Sequence, residues 1–477
     1  MALDLKFIGI DTQYPLANGE LKPRIHLDGA ASPLVMQKAI DAIETLLPHY
    51  SNSHSFSHAS ARISSSAFKW SMNKIMQAVE ANEDYQCAFM GSGSTAWLNN
   101  VARRLAGRKN TQGKVCDIVL VSALEHHAND LPHRKHSTVK HFGLIQNQDN
   151  HSSQLGDIDL QDLELKLKKY SGRVNYVTFS AVSNVTGIIN PIQEITRLAH
   201  QHGVYSVVDC AQMAAHMPLS VAKNNADFVI FSGHKVYAGA APGVLIAKQS
   251  LLAKHPSDEM GGGIVETVAY LDEVFTNDFP TRELPGTKNV LGAYALGNVM
   301  KTLENIGFDN IQIHSEKLWQ YAFKTLNGLK NNKGEALINI YAKSKSSRLG
   351  ALAFNLKNID HGLVAAILSD YYGIAVRNEC FCAHPYVSSL LKDELWELDL
   401  DQIPDEDHEA LINRKRGMLR ASFSLYNNQN DIDQLAIALK DIANNIDDFT
   451  TEYIPQLKGD YVHKQFKVKP EDYLSVE

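Results

Sequence analysis

Two short apolar segments, each followed at once by a reactive polar side chain, constrain the fold of this chain most strongly. Residues 204–208 lead into Asp209, and residues 228–231 lead into a turn that ends in Lys235. Short apolar segments rich in β-branched residues are typical of buried strands in parallel sheets. The carboxyl ends of parallel strands meet at one edge of a sheet, which is where open α/β sheets bind ligands. We therefore expect Asp209 and Lys235 to lie close together at such an edge.

Similar apolar segments alternate with helical ones between residues 87 and 247. The periodicity predicts strands at 118–121, 174–179 and 205–208, and helices at 160–169 and 192–202. This alternation indicates right-handed βαβ units and a mainly parallel sheet. Ahead of this region we predict one helix at 34–49 and another at 68–81, with a loop at 51–60 between them.

The rest of the chain has a different pattern. A long helix is predicted at 289–305, and after it helices and strands mix, as is typical of an α+β region. These later elements are predicted at 316–327, 352–356, 419–424 and 432–445. The predicted organisation is an irregular N-terminal arm, a large α/β domain, a small α+β domain and a tail, at 1–25, 26–290, 291–450 and 451–477. Residues 388–418 are acidic, and we expect a surface insertion there.

Composition narrows the choice of partners. The net charge of −7 argues against nucleic acid and anionic membranes as partners, because both favour clustered Lys and Arg. No apolar segment approaches the roughly 18 residues that would span a bilayer, and no secretory signal is recognised, so we expect a cytoplasmic protein. The five cysteines are few and odd in number, which disfavours a disulfide framework and favours one working thiol.

The predicted sheet edge carries the side chains that a pyridoxal phosphate (PLP) enzyme needs. A buried lysine loses proton affinity and can form a Schiff base, which is the role we assign to Lys235. Asp209 would keep the pyridine nitrogen protonated, and Gln212 would donate to the ring hydroxyl oxygen. His126 would stack on the ring. Each residue has an ordinary alternative when taken alone, such as a helix cap or a solvated lysine, but together they favour one shared site.

Further polar groups follow the same predicted strands. Ser94 and Thr95 come after a glycine-rich turn at a helix start, which suits a bound anion. Ser232 and His234 could also hold a phosphate. Asn184 could donate to a phenolate oxygen or to a substrate carboxylate, although by itself it is better explained as part of a turn.

Two cysteines and two arginines stand out after residue 370. Cys380 and Cys382 closely follow Arg377, which ends an apolar segment. Two thiols without a second pair make a weak metal site, so we predict no metal; redox work and inert burial are the alternatives. Arg420, on the strand predicted at 419–424, could grip a substrate carboxylate in a bidentate fork.

The order of these motifs resembles the class V branch of fold-type I PLP enzymes, and within it the SUF-type cysteine desulfurases and selenocysteine lyases. The resemblance extends from about residue 25 to 445, through segments 27–32, 94–95, 125–129, 182–185, 208–212, 232–235, 261–263, 285–289, 373–377, 382–385 and 419–422. It implies a fold-type I transferase with a mainly parallel, seven-stranded large-domain sheet and a smaller α+β domain. It also implies PLP, a small amino-acid substrate, a homodimer and a sulfur-acceptor protein as a candidate partner.

Residue roles follow from the same resemblance. PLP is expected to contact Ser94, Thr95, His126, Asn184, Asp209, Gln212, Ser232, His234, Lys235 and Thr287. Thr287 resembles a residue that reaches a phosphate across a dimer interface. The substrate carboxylate is expected to meet Asn184, Arg377 and Arg420. Lys235, His126 and Cys382 are the expected catalytic residues, and cleavage of the C–S or C–Se bond of a cysteine-like amino acid would give alanine and a persulfide on Cys382.

The chain departs from the family pattern just before this cysteine, where Glu379, Cys380 and Phe381 replace the usual Gly-His-His. The alternative within the fold is a class V aminotransferase, an epimerase or another C–S lyase in which Cys382 is not catalytic. A scaffold with a decayed PLP site is the alternative outside enzymes, and the complete set of predicted ring and amine contacts argues against it. A dinucleotide-binding enzyme fits poorly, because no Gly-x-Gly-x-x-Gly follows a first strand.

Overall fold

Helices and strands alternate along most of the chain. The computed structural model describes residues 5–145, 156–342, 346–392, 412 and 415–474. The helices within these residues are α1 (Gln37–Leu46), α2 (Ala59–Ala78), α3 (Ser94–Arg104), α4 (Leu131–His136), α5 (Leu160–Lys169), α6 (Ile192–Gln201), α7 (Val221–Asn224), α8 (Gln249–Lys254), α9 (Val290–Ile306), α10 (Phe308–Asn327), α11 (His361–Tyr372), α12 (His384–Leu390), α13 (Gln429–Asn444) and α14 (Ile446–Glu452). None of them is both long and apolar enough to cross a bilayer. The strands are β1 (Gln13–Pro15), β2 (Leu21–Pro23), β3 (Ile25–His26), β4 (Tyr85–Met90), β5 (Ile118–Ser122), β6 (Thr138–Phe142), β7 (Val174–Ser180), β8 (Tyr205–Asp209), β9 (Phe228–Ser232), β10 (Gly243–Lys248), β11 (Val265–Val268), β12 (Glu273–Phe275), β13 (Ile338–Ile340), β14 (Ala351–Leu356), β15 (Ile374–Ala375), β16 (Leu419–Ser422), β17 (Tyr453–Pro455) and β18 (Tyr461–His463).

Seven strands form the central sheet, in the spatial order β4, β10, β9, β8, β7, β5 and β6. β10 runs antiparallel to both of its neighbours, and the other pairs in the sheet are parallel. Every residue of β5, β7 and β9 is buried, which explains why these strands are almost continuously apolar in the sequence. The prediction of an α/β fold with a mainly parallel seven-stranded sheet is confirmed.

This topology brings six strand ends to one edge of the sheet. β5, β6, β7, β8 and β9 are parallel, and β4 has the same direction because it pairs antiparallel with β10. The segments that follow the carboxyl ends of these six strands therefore lie side by side. The same edge receives the start of β10, which is Gly243.

A three-stranded antiparallel sheet, β13-β14-β16, packs against α10 and α11, which also contact α13. Its buried side chains form a cluster distinct from the one around the central sheet. α9 packs against α1 and α2 and belongs to the larger cluster. The domain boundaries at 25, 290 and 450 stay a prediction. The predicted acidic insertion lies mostly outside the described residues, at 393–411 and 413–414.

The N-terminal arm is more ordered than expected. We predicted irregular chain over residues 1–25, but in the described part β1 and β2 form an antiparallel hairpin. β3 then pairs in parallel with β15, with Ile25 opposite Ile374. The prediction of an irregular arm is therefore wrong for these residues. The strands of the hairpin are three residues long, which is too short to show a period, and the partner of β3 comes from the far end of the chain.

α2 begins nine residues before the predicted start at 68. The predicted loop at 51–60 ends at His58, whose side chain accepts the Ala61 N–H and caps the helix. Serine disfavours a helix locally because its hydroxyl competes for backbone groups. Here the hydroxyls of Ser64 and Ser65 donate to the carbonyls of His49 and Ser53, at 3.3 and 2.9 Å. These contacts attach the helix to the preceding loop, so the tertiary structure overrides the local preference.

The tail after residue 450 folds back onto α11. β17 and β18 form an antiparallel hairpin. Tyr453 donates its hydroxyl to Asp370 at 3.0 Å, and Tyr461 donates to Asp360 at 2.7 Å. These two bonds attach the hairpin to both ends of α11.

The start of β10 packs closely against the turn that follows β4, and Gly243 lies at this contact. A Cβ atom on Gly243 would lie 2.2 Å from the Gly93 carbonyl oxygen and 2.8 Å from that of Met90. Gly243→Ala is therefore expected to displace the turn and lower the free energy of unfolding by about 1–3 kcal/mol. Chemical denaturation measures the loss. Gly262→Ala is the matched control, since a Cβ there meets nothing within 4 Å; equal stability of the two variants would contradict the packing argument.

Candidate active site

A cavity of about 730 Å³ opens at the carboxyl edge of the central sheet. Twelve of the thirteen predicted site residues line it: Ser94, Thr95, His126, Asn184, Asp209, Gln212, Ser232, His234, Lys235, Arg377, Cys382 and Arg420. Thr287 is the exception. It lies in a neighbouring cavity of about 390 Å³, which shares Gly91 and Glu259 with the first.

Lys235 and Asp209 come from adjacent strands. Lys235 ends the single 3-10 turn that follows β9, and Asp209 is the last residue of β8. Oδ1 of Asp209 accepts the Ala211 N–H at 2.9 Å, whereas Oδ2 accepts no hydrogen bond from the described residues. Burial lowers the pKa of Lys235 and raises that of Asp209, and the opposite charge of each opposes both shifts. The Lys235 amine and the Oδ2 atom of Asp209 are thus both available to bind a ligand in the cavity.

The turn between β4 and α3 forms a cradle for an anion. Ser94 begins α3, and its N–H donates to Ser232 Oγ at 2.8 Å, while the Ser232 hydroxyl donates to Ser94 Oγ at 3.1 Å. A Cβ on Gly93 would come within 3.1 Å of Ser232 Oγ, so a side chain there would crowd the cradle. The N-terminus of an eleven-residue helix beside hydroxyl groups suits a phosphate.

The residue before His126 is a buried glutamate, Glu125, which the sequence analysis did not single out as a functional residue. Glu125 is 4% exposed and accepts hydrogen bonds from the Ser122 hydroxyl, from Asn129 Nδ2 at 2.6 Å, and from the N–H and hydroxyl of Ser180 at 2.8 and 2.6 Å. Burial raises the pKa of Glu125 to about 7, although these hydrogen bonds favour the carboxylate. The network ties the loop after β5 to the end of β7.

His126 itself is neutral at physiological pH. Burial, followed by the charge of Lys235, lowers its pKa to about 4. Its Nδ1 accepts the Ala128 N–H at 3.0 Å, so the single proton of the neutral ring lies on Nε2. An uncharged imidazole fixed in one tautomer can stack on a flat ring and exchange a proton at Nε2.

Arg420 contacts Asn184, a predicted site residue, and also Asp28 and Phe381, to which the sequence analysis assigned no role. Its Nη2 donates to Asp28 at 2.9 Å and its Nη1 to the Asn184 carbonyl at 3.0 Å, and its guanidinium lies 4.8 Å from the centre of the Phe381 ring. Each terminal nitrogen keeps a second N–H. Asp28 belongs to segment 27–32, and the match of this segment to the family was the one sequence signal that could have identified Asp28 as a site residue. Burial lowers the pKa of Arg420 and Asp28 raises it.

The amides and the second arginine are arranged differently. Asn184 Nδ2 donates to the Phe381 carbonyl at 2.8 Å, and Gln212 Nε2 donates to the Ala30 carbonyl at 2.8 Å. Both side chains are thereby oriented and still line the cavity. Arg377 pairs with Arg420 through the backbone, at 2.7 and 3.2 Å, but its own side chain is exposed.

The cysteine segment is a left-handed turn. Ala383 N–H donates to the Cys380 carbonyl at 2.8 Å, and both central residues, Phe381 and Cys382, have positive φ, at 51° and 54°. Of the five cysteines, Cys382 is exposed and the others are buried. Cys380 donates its thiol to the Arg416 carbonyl at 3.2 Å, and burial raises its pKa to about 11. The exposed thiol is thus the one positioned to react.

The fold and the site together define a PLP enzyme of fold-type I. The family model described as Aminotransferase class-V matches residues 25–435, and the chain belongs to this family, whose members depend on PLP. A probable cysteine desulfurase of Halalkalibacterium halodurans is 32% identical over 438 residues, covering 90% of this chain and 95% of the relative. A cysteine desulfurase of Escherichia coli is 28% identical, covering 91% and 97%. The apo structure of a cysteine desulfurase from Thermococcus onnurineus matches with a TM-score of 0.73 and 25% identity, over 88% of this chain and 95% of that one.

The residues present fit this cofactor. The anion cradle suits its phosphate, the open Oδ2 of Asp209 suits a protonated ring nitrogen, and the Lys235 amine suits its aldehyde. These three groups line one cavity, as the attachment of one cofactor molecule requires.

We expect titration of the Glu125 carboxyl group to make the free energy of unfolding depend on pH. Glu125→Gln places an NH₂ group where a carboxyl oxygen now accepts the N–H groups of Asn129 or Ser180, so the free energy of unfolding should fall by about 1–3 kcal/mol. The raised pKa means that the folded protein holds a proton that the unfolded chain releases between pH 4.5 and about 7. Wild-type stability from this source therefore decreases as pH rises through that window.

Thermal unfolding of both proteins at about pH 5 and about pH 8 measures the effect, and the gap between them should narrow at the higher pH. Glu44→Gln is the control, since Glu44 is exposed. A gap that is the same at both pH values would contradict the raised pKa.

Proposed function

We propose that the protein is a PLP-dependent enzyme that cleaves the C–S or C–Se bond of a cysteine-like amino acid, releasing alanine and leaving a persulfide on Cys382. The observation that carries this proposal is the position of Cys382. It is the exposed one of the five cysteines, and it lines the same cavity as Lys235 and Asp209. A transamination or epimerisation needs the lysine and the acid but has no use for an accessible thiol.

The proposed cofactor contacts are distributed over the sheet edge. Ser94, Thr95, Ser232 and His234 would hold the phosphate at the start of α3. Asp209 would face the ring nitrogen, Gln212 and Asn184 the ring hydroxyl oxygen, and His126 the ring face. When bound, PLP withdraws electrons from the α-carbon of the amino acid and so acidifies its α-proton.

The substrate carboxylate is assigned to Arg420, Arg377 and Asn184. Asp28 and the Asn184 carbonyl each take one N–H of Arg420, which fixes the guanidinium plane and leaves one N–H on each terminal nitrogen for the substrate. A planar fork with two parallel donors matches a carboxylate. Arg377 is exposed and supplies a second positive charge at the mouth of the cavity.

The chemical steps use two side chains. Lys235 accepts the α-proton of the substrate at Nζ, which its lowered pKa favours. The Cys382 thiolate attacks the substrate sulfur, the Cβ–S bond breaks, and its electron pair remains with the carbon skeleton. Lys235 then returns the α-proton, the proton given up by the Cys382 thiol goes to the β-carbon, and alanine leaves. The transferred sulfur stays on Cys382, from which an acceptor thiol, of a protein or a small molecule, can remove it.

Cys382→Ser tests this assignment. The variant is expected to retain PLP and its visible absorbance but to lose at least about 10³-fold in alanine and sulfide formation from cysteine, because the attacking nucleophile is gone. Product analysis with cysteine and selenocysteine measures the loss. Cys380→Ser is the matched control and should keep its activity, since the Cys380 thiol is buried. Full activity of Cys382→Ser would favour another class V reaction in which this cysteine is a bystander.

We also propose a homodimer in which Thr287 reaches the phosphate in the partner's site. Thr287 is exposed and lines the neighbouring cavity of about 390 Å³, and within the described residues no hydrogen bond joins it to the predicted phosphate contacts of this chain. Neither this assembly nor the cytoplasmic location is tested by the fold, and both stay predictions.

Mixed dimers provide the test for Thr287. Lys235→Ala and Thr287→Val chains should each lose most of their activity and PLP retention as homodimers. When the two chains are co-expressed, one site of each mixed dimer combines an intact Lys235 with a partner's intact threonine. Recovery of about one active site per mixed dimer, measured after tandem affinity purification, is expected. Absence of recovery would place Thr287 outside the partner's site.

A further inference from the structure

Two histidines join the loop after β5 to the cysteine segment. His127 donates its backbone N–H to the Cys382 carbonyl at 2.6 Å. The rings of His127 and His384 stack with their centres 4.8 Å apart and their planes 6° from parallel. The Cys382 backbone is therefore contacted by the His127 amide, and His384, two residues further along the chain at the start of α12, is contacted by the His127 ring.

The ring contact fixes the protonation state of His127. Its Nε2 lies 3.3 Å from the His384 backbone N–H and 3.0 Å from Nδ1 of the His384 ring. A backbone N–H can only donate, so Nε2 of His127 must be an unprotonated acceptor, and the proton of the neutral ring lies on Nδ1. His384 completes the contact by donating from its own Nδ1.

Protonation of His127 would break this contact. The new proton on Nε2 would face the His384 N–H, and the charged ring would lie against a second imidazole. Around His127, burial and then the charge of His384 lower its pKa, Asp130 raises it and Arg134 lowers it further; His126 lies beside it on the same loop, 6.4 Å away between ring centres. Asp130 is already engaged by Arg134 and His141, so it offers limited compensation.

The cysteine turn needs such an external contact. Phe381 and Cys382 are both held at positive φ, a conformation that side-chain-bearing residues rarely adopt and that persists only where the surroundings impose it. The Asn184 amide fixes the Phe381 carbonyl, and His127 fixes the next one, that of Cys382. His127 reaches the Cys382 carbonyl through its backbone N–H, which does not titrate, so protonation of the ring would act on the turn through the lost contact with His384, the first residue of α12.

We propose that His127 and His384 are positioning residues that form a histidine latch, which holds the Cys382 segment at the cavity mouth while His127 is neutral and releases it when His127 is protonated. The latch closes as pH rises and opens as pH falls, because the open state binds the proton more tightly. Its effect on catalysis rests on the proposed role of Cys382, whereas the closing and opening of the segment does not.

Hydrogen–deuterium exchange of the peptide that contains Cys382 and His384, in the full-length PLP-loaded protein, tests the latch. His127→Gln keeps an acceptor oxygen near the position of Nε2 but cannot be protonated, and His127→Leu removes the acceptor. In wild type, protection of this peptide, corrected for the intrinsic exchange rate, should fall several-fold on acidification from neutral pH. His127→Gln should keep the neutral-pH protection and lose the acid response. His127→Leu should be unprotected throughout.

The catalytic readout is the pH profile of alanine formation. Wild type should lose kcat on the acid side with little change in KM, and His127→Gln should lack that limb. His49→Gln is the matched control, because His49 is exposed and lies outside the cavity. An acid response of exchange in His127→Gln equal to that of wild type would overturn the latch, even if His127→Leu fails to fold. Full activity of Cys382→Ser would instead overturn the proposed reaction and leave the exchange result to decide the latch alone.

Discussion

The parallel register of β7, β8 and β9 determines where Asp209 and Lys235 lie, and the other groups of the site are arranged around these two. Ser180 pairs with Asp209, and Asp209 pairs with Ile230, so β7 and β8 end level and β9 continues to Ser232. The chain then continues the ladder for one more step, with Ala181 N–H on the Asp209 carbonyl and Cys210 N–H on the Ile230 carbonyl. A slip by one residue would turn Asp209 to the opposite face of the sheet and remove the acid from the cavity. Because these strands are buried on both faces, packing enforces the register as strongly as hydrogen bonding does.

Buried polar groups behind the cavity extend this order. The loop after β5 has three successive residues with separate tasks: Glu125 bonds to the end of β7, His126 faces the cavity, and His127 contacts the cysteine segment. Glu125 further shares Asn129 with His133, whose ring in turn bonds to Tyr176. A fully satisfied network of this kind restricts each member to one orientation. The imidazole over the cofactor site is thus aligned by groups that never touch the cofactor.

Much of the fold and the site could be predicted, because the local sequence marks the helices and strands, and the parallel arrangement of the strands then brings their polar ends together. α5 starts as predicted, since Asp159 accepts the N–H groups of Gln161 and Asp162 and marks the boundary in the sequence. The polar residues after the apolar strands converge because parallel strands must end together. The hairpin of β1 and β2 was missed because its strands are only three residues long, and the early start of α2 was missed because serine hydroxyls attach it to the preceding loop. The hydrogen bond between Arg420 and Asp28 was also missed, because nothing in the local sequence around either residue indicates the other.

That last pair has a consequence for how the protein is made. Asp28 and Arg420 are 392 positions apart, and the guanidinium is 3% exposed once they meet. Contacts between such distant residues form late, after the intervening chain has folded. During synthesis the acid leaves the ribosome long before its arginine does. A nascent chain can therefore build the central sheet, but it cannot offer a finished pocket to vitamin B6 until almost the entire polypeptide has been translated.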